Sequence, residues 1–117
     1  VKIHICDRTQ NEKIIDYIVN SFDDIEVTYS FSYSSFMELF AKDRYDIYLY
    51  TMHSVTNYED QMAIRDMASK GKVIAIIPLA DFRLSKQAVL CGASDFVVHP
   101  FSEEKLKQKI KNTLDKK

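Results

Sequence analysis

Short runs of β-branched and aromatic residues alternate along the chain with stretches whose apolar positions recur at helical spacing. Lys2-Ile3-His4-Ile5-Cys6 reads as a first strand, and Ile14, Ile15, Ile18, Val19 and Phe22 then share one helical face. Between them, Thr9 and Glu12 have the spacing of a capping box, in which hydroxyl and carboxylate satisfy free amides of the first turn. Residues 25–31 predict a second strand, and Phe36, Leu39 and Phe40 a short second helix after Ser34-Ser35. "DIYLYTM" over 46–52 predicts a third strand, followed by a third helix over 57–70 with Gly71 as its stop. "KVIAII" over 72–77 is the unbroken apolar run of a strand covered on both faces. A fourth helix over 81–91 ends at Gly92, and residues 95–98 form a fifth strand. Ser102 caps a fifth helix carrying Leu106, Ile110 and Leu114, with Glu103 and Glu104 favourable at its positive end.

Five strands alternating with five helices predict an α/β fold. Right-handed crossovers then require one open parallel sheet with helices on both faces. In such sheets function gathers at the carboxyl ends of the strands, near the switch point in strand order. The residues at those ends are Cys6, Asp7 and Arg8; Thr51, Met52 and His53; Ile77 and Pro78; and His99 and Pro100.

Composition narrows the classes. A chain of 117 residues is one domain by length, spanning 1–117, and large enough to bury a real core. With 46% hydrophobic and 28% charged residues it is globular. A net charge of -1 offers no electrostatic case for nucleic acid or an anionic membrane. The lysines from Lys105 to Lys117 are interspersed with acids and read as a solvated helix face. Cys6 and Cys91 sit where small buried residues belong, with neither disulfide nor zinc spacing. No apolar stretch reaches membrane-spanning length and no signal peptide is visible, so a cytoplasmic location is expected. The chain begins at Val1, which suggests a piece excised from a longer protein.

The run Gly92 to Phe101 ("GASDFVVHPF") resembles the closing motif of response-regulator receiver domains: a Gly-Ala turn, an aromatic strand, then Lys-Pro-Phe. The resemblance extends over the whole chain and implies a CheY-like, flavodoxin-like (βα)5 fold with strand order 2-1-3-4-5. It also implies phosphoryl transfer onto an aspartate ending the third strand. In the family, an acid pair after the first strand holds magnesium, a Thr or Ser ends the fourth strand, and a Lys ends the fifth. Here the acceptor position is Thr51, the acid pair is Asp7 and Arg8, the hydroxyl position is Ile77 and the lysine position is His99. Only Asp7 keeps its family identity.

These replacements set the expected chemistry. A threonine hydroxyl forms no acyl phosphate, and one carboxylate beside an arginine makes a poor magnesium site. Magnesium binding is therefore expected to be weak or absent, with no other cofactor, and Arg8 is expected to pair with Asp7 where the metal would lie. His99 is shorter than lysine. It is expected either to bond a local carbonyl or water, or to contact Asp7 with a pH sensitivity near neutrality. A metal site from His53, His99 and Asp7 lacks any short ligand spacing. His4 reads as a core histidine, and Tyr48 and Tyr50 as core rings. The resemblance further implies a cis bond before Pro100.

The chain thus resembles a degenerate receiver, a pseudo-receiver that keeps the fold and has lost the phosphorylation chemistry. The expected function is a regulatory protein-protein interaction module, not an enzyme. Its partner is either another protein or a second copy, and a second copy is expected to engage through the face of the fourth helix, fifth strand and fifth helix. Phe96, at the family's switch-aromatic position, is expected to sit inward beside Ile77. An output domain beyond Lys117 is a further expectation. The alternatives are a ligand- or metal-sensing domain using the same pocket, and a receiver phosphorylated at an unrecognised residue.

Overall fold

The computed structural model describes residues 1–7, 12–22, 24–30, 44–52, 58–77, 82–99 and 101–115. Five parallel strands form one sheet in the order β2-β1-β3-β4-β5. In chain order these are β1 (Lys2–Cys6), α1 (Glu12–Ser21), β2 (Glu26–Ser30), β3 (Ile47–Thr51) and α2 (Tyr58–Ala68). There follow β4 (Lys72–Ile77), α3 (Phe82–Cys91), β5 (Asp95–Val98) and α4 (Glu103–Asp115). The expected second helix, the Thr9 end of the capping box, and the side chains of Ile15 and Val19 lie outside the described residues.

Period-two alternation divides the sheet into two dry layers. Ile3, Ile5, Ile47, Leu49, Ile74, Ile76 and Val97 face Ile14 and Ile18 of α1 and Leu106 and Ile110 of α4. Tyr48, Tyr50, Val73, Ala75 and Ile77 face Ala63, Ile64 and Met67 of α2 and Leu84 and Ala88 of α3. Helix α1 lies beside α4 on one side, and α2 beside α3 on the other. The central strands β3 and β4 are enclosed on both faces, apart from the first residue of β4.

The ends of the helices explain the two glycines differently. Gly92 has φ +115°, its amide donates to Val89 O at 3.1 Å, and the Ala93 amide donates to Ala88 O at 3.0 Å. That pairing is a Schellman cap, which needs a residue free of a Cβ penalty at positive φ. Gly71 serves a close approach. A Cβ there would stand 2.5 Å from the Tyr45 carbonyl oxygen and 3.0 Å from Cε2 of Tyr48. It lets the chain leave α2 and enter β4 directly against the start of β3, where Lys72 N donates to Asp46 O. At α4, Ser102 Oγ accepts from the Lys105 amide at 3.1 Å, the expected cap. The last turn of α4 has no basic residue of its own. Lys72 reaches across from β4 and donates to the Thr113 carbonyl at 2.8 Å instead.

Gly71→Ala is expected to destabilise the domain by about 1–3 kcal/mol, because the obstacle is backbone and cannot rotate away. Urea unfolding of the two proteins measures this, and an unchanged midpoint would mean that the β3 entry yields freely.

Candidate functional site

The carboxyl edge of the sheet is built by the ends of β1, β3, β4 and β5. Asp7 follows β1 and is almost wholly enclosed, at 1% exposure. Its amide donates to Ser30 O at 3.0 Å, and its carbonyl accepts the Tyr29 hydroxyl at 2.7 Å. Both contacts tie the residue to β2. Thr51 ends β3 at 7% exposure, and its Oγ1 has no hydrogen-bond partner in the structure among the described residues. Alternation carries Asp7 and Thr51 to the α1/α4 side, continuing Ile3-Ile5 and Ile47-Leu49. Pairing of Cys6 with Tyr50 is the last step of the β1–β3 register, so one further step sets Asp7 opposite Thr51.

Ile77 lies on the other side, fully buried in the α2/α3 layer. Phe96 packs against that same layer but is only half-buried, bordering two surface hollows. His99 is exposed; its amide donates to Ile77 O at 2.7 Å. The imidazole lies edge-on to the Phe101 ring, with centroids 5.5 Å apart. Among the described residues, no three of His, Cys, Asp and Glu gather closely enough to hold a metal ion. Arg8, His53 and Pro100, with the expected cis bond, lie outside the described residues.

Two buried polar groups close to this edge have clear partners. The Tyr50 hydroxyl donates to Oδ1 of Asp60 at 2.5 Å. Asp60 sits in the first turn of α2, wholly buried, on the stripe it shares with Ala63, Ile64 and Met67. Burial first, and then the hydrogen bond to that carboxylate, push the Tyr50 phenol up, so it remains a donor at any ordinary pH. The pair pins α2 to the strand that carries Thr51. It was not anticipated from the sequence, although an acid at the i position of an i, i+3, i+4, i+7 apolar stripe is a visible signal.

The second group is His4, buried as expected. Its Nδ1 lies 2.6 Å from Thr28 Oγ1 and its Nε2 2.8 Å from Ser30 Oγ, both on β2. Burial pushes the imidazole down to about 4. The hydroxyls can reorient to suit either ring form, so loss of hydration sets the direction.

No protein-family model matches the sequence, and no curated protein matches it. Solved structures do. The chain is similar to the signal receiver domain of a DNA-binding response regulator from Colwellia psychrerythraea, with TM-score 0.83 and 15% identity over 98% of each chain. The fold is that of receiver domains. A response regulator from Thermotoga maritima superposes with TM-score 0.81 at 17% identity over 98% of each chain. NtrX from Brucella abortus matches with TM-score 0.82 at 14% identity, 97% of this chain covering 26% of that longer one. The receiver fold and its 2-1-3-4-5 sheet are thereby established here. Identities this low carry the fold and leave the chemistry to the residues at the edge.

Two outcomes are expected. Tyr50→Phe should destabilise the fold by about 1–3 kcal/mol, because Asp60 stays buried with one partner fewer. The double variant Tyr50→Phe/Asp60→Leu should recover part of that loss, and a double-mutant cycle by urea unfolding reads the coupling. For His4, the folded value lies below the unfolded 6.5, so between about 4 and 6.5 the unfolded chain binds the extra proton. Stability should therefore rise with pH through that window and be complete above it. The loss on going down to pH 4 is about 3 kcal/mol. His4→Gln should flatten this slope in urea midpoints taken between pH 4 and 7.

Proposed function

We propose that this chain is a phosphorylation-independent receiver-type module, a signalling domain that acts by binding protein and not as an enzyme. The observation that carries the reading is Thr51. At the position where receivers present an acceptor carboxylate stands a buried hydroxyl, on the same side of the sheet as Asp7. An alkyl hydroxyl that attacks a phosphodonor, losing its proton as the donor's leaving group departs, gives a stable phosphate ester, not the acyl phosphate on which receiver switching runs. It also removes a carboxylate of the kind through which magnesium is ordinarily held.

The relay positions support the same reading. Ile77 has no hydroxyl to follow a phosphoryl group, and its side chain is enclosed in the α2/α3 layer. The His99 imidazole rests against Phe101 at the surface. Phe96 has no hydroxyl to tie it to one of two positions. A ligand shifts a conformational equilibrium only through differential affinity, and such an edge offers phosphate little of it. The interaction surface is accordingly held in one form, and the face of α3, β5 and α4 is the surface proposed to meet the partner. No described helix is long and apolar enough to cross a membrane.

The test is intact-mass analysis after incubation with acetyl phosphate and magnesium, with magnesium titrated separately by fluorescence or calorimetry. No phosphate adduct and no millimolar magnesium binding are expected. An adduct that disappears in Asp7→Asn would sink this reading in favour of a receiver phosphorylated at that acid. Saturable uptake of a metal ion by the unphosphorylated chain would favour a sensing domain instead.

A further inference from the structure

Beside the open edge of β5 lies a hollow of about 450 Å³, within the roughly 300–1,000 Å³ of small-molecule clefts. Its lining divides into two banks. Phe96, Val98 and Phe101 supply an apolar one, and Ser102, Lys105 and Lys109 a polar one at helical spacing from the cap of α4 onward. Among the described residues, no acidic side chain lines it. Both banks are held in place by contacts within the chain. The Phe101 ring makes edge-type contacts with His99, centroids 5.5 Å apart, and with Tyr17 of α1 at 6.4 Å. Lys109 Nζ stands 5.7 Å from the centroid of the Phe96 ring and donates to Asp95 Oδ1 at 3.1 Å.

The polar groups of this hollow are donors. Asp95 offsets the charge of Lys109, so the uncompensated positive charge on the lining is that of Lys105, which is exposed. Ser102 Oγ accepts the Lys105 amide at 3.1 Å, a bond that does not use its own proton. The strand edge adds a backbone group. The His99 amide donates to Ile77 O, and alternate residues of a strand address the same neighbour, so the Phe96 and Val98 amides turn away from β4. Asp95 Oδ1 takes the Phe96 amide at 2.8 Å. The Val98 amide faces the outer side, where its residue lines the hollow.

We infer that this hollow binds a small aromatic anion, an aryl group carrying a carboxylate or a phosphate-type head. The aryl group lies against the Phe96 and Phe101 rings. The head accepts from Lys105 Nζ, the Ser102 hydroxyl and the Val98 amide, the first of these a charge-assisted bond. A neutral ring leaves Lys105 unanswered, and a bare inorganic anion gains nothing from the two rings. Only the combination uses both banks. The site takes no residue from Asp7, Thr51 or Ile77, so it does not depend on the interaction role proposed above.

The experiment titrates the isotope-labelled 117-residue chain with phenylphosphonate, benzoate, inorganic phosphate and benzyl alcohol, none of which transfers a phosphoryl group. Saturable shifts of the Phe96, Val98, Phe101, Ser102 and Lys105 amides are expected with phenylphosphonate and benzoate. Inorganic phosphate and benzyl alcohol should bind there at least about fivefold more weakly. Lys105→Glu should weaken both aryl anions about tenfold and leave the response to benzyl alcohol unchanged. An equal response to inorganic phosphate would mean attraction of any anion to surface lysines, and an equal response to benzyl alcohol an apolar hollow with no choice of charge. Either result would overturn the inference. So would shifts centred on Asp7 and Thr51, an unchanged affinity in Lys105→Glu, or no shifts with either aryl anion.

Discussion

Strands β3 and β4 have almost no side toward water, and most of the remaining structure answers that constraint. Every residue of β3, and all of β4 after Lys72, is buried, so each polar atom there needs a partner inside the protein. The backbone finds it in ladders to both neighbouring strands. The Tyr50 hydroxyl finds it in Asp60, and the Tyr48 hydroxyl accepts the Tyr45 amide at 3.3 Å. Gly71 follows from the same crowding, since the chain re-enters the sheet against Tyr45 and Tyr48. Among the described residues, Thr51 is the point where this satisfaction stops, since its Oγ1 finds no hydrogen-bond partner there. It is the last residue of the enclosed strand and lies at the edge where open α/β sheets place their chemistry.

How much of this was legible depended on whether the cause was local. The run "KVIAII" and the tetrad Asp95–Val98 were bounded correctly as strands, because apolar continuity and a preceding glycine are local signals. The Ser102 cap was equally readable. Gly71 was placed correctly as a helix end, but its reason is a contact with Tyr45, over twenty positions earlier in the chain, and no local pattern contains it. His4 read as a core residue, yet its partners Thr28 and Ser30 emerge only from the parallel register of β1 with β2. Parallel pairing joins segments separated by a helix, so side-chain networks across it are the least visible feature of such a sequence.

The candidate site was legible to a different degree. Counting along predicted strands put Asp7, Thr51, Ile77 and His99 at strand ends, and the structure places them there. Counting did not show that Asp7 and Thr51 share one side of the sheet while Ile77 and Phe96 share the other. Nor did it show that Asp95 is spent within the chain. Read as a list, the charges Arg83, Lys86, Lys105, Lys109, Asp95 and Glu104 look balanced enough for a symmetric pair. Asp95 closes on Lys109 and on the Phe96 amide, which withdraws one charge of each sign and leaves Glu104 as the remaining acid of that set.

On the proposed reading the fold outlives its reaction, because the two depend on different residues. The dry layers rest on aliphatic and aromatic side chains in alternation, and none of those is a phosphoryl-transfer group. A cluster of carboxylates at the sheet edge is, by contrast, an electrostatic burden unless a cation occupies it, since like charges a few ångströms apart repel strongly where water is scarce. By that reading, Thr51 opposite Asp7, the one acid at this edge among the described residues, removes that repulsion, so the edge can close without a metal ion. On the proposed reading, the same exchange removes the means of switching. With no phosphoryl group to favour a second arrangement, the packing of Phe96 and Ile77 is set by the core alone. The surface beside it is then always presented, and control has to come from the supply or localisation of the partner.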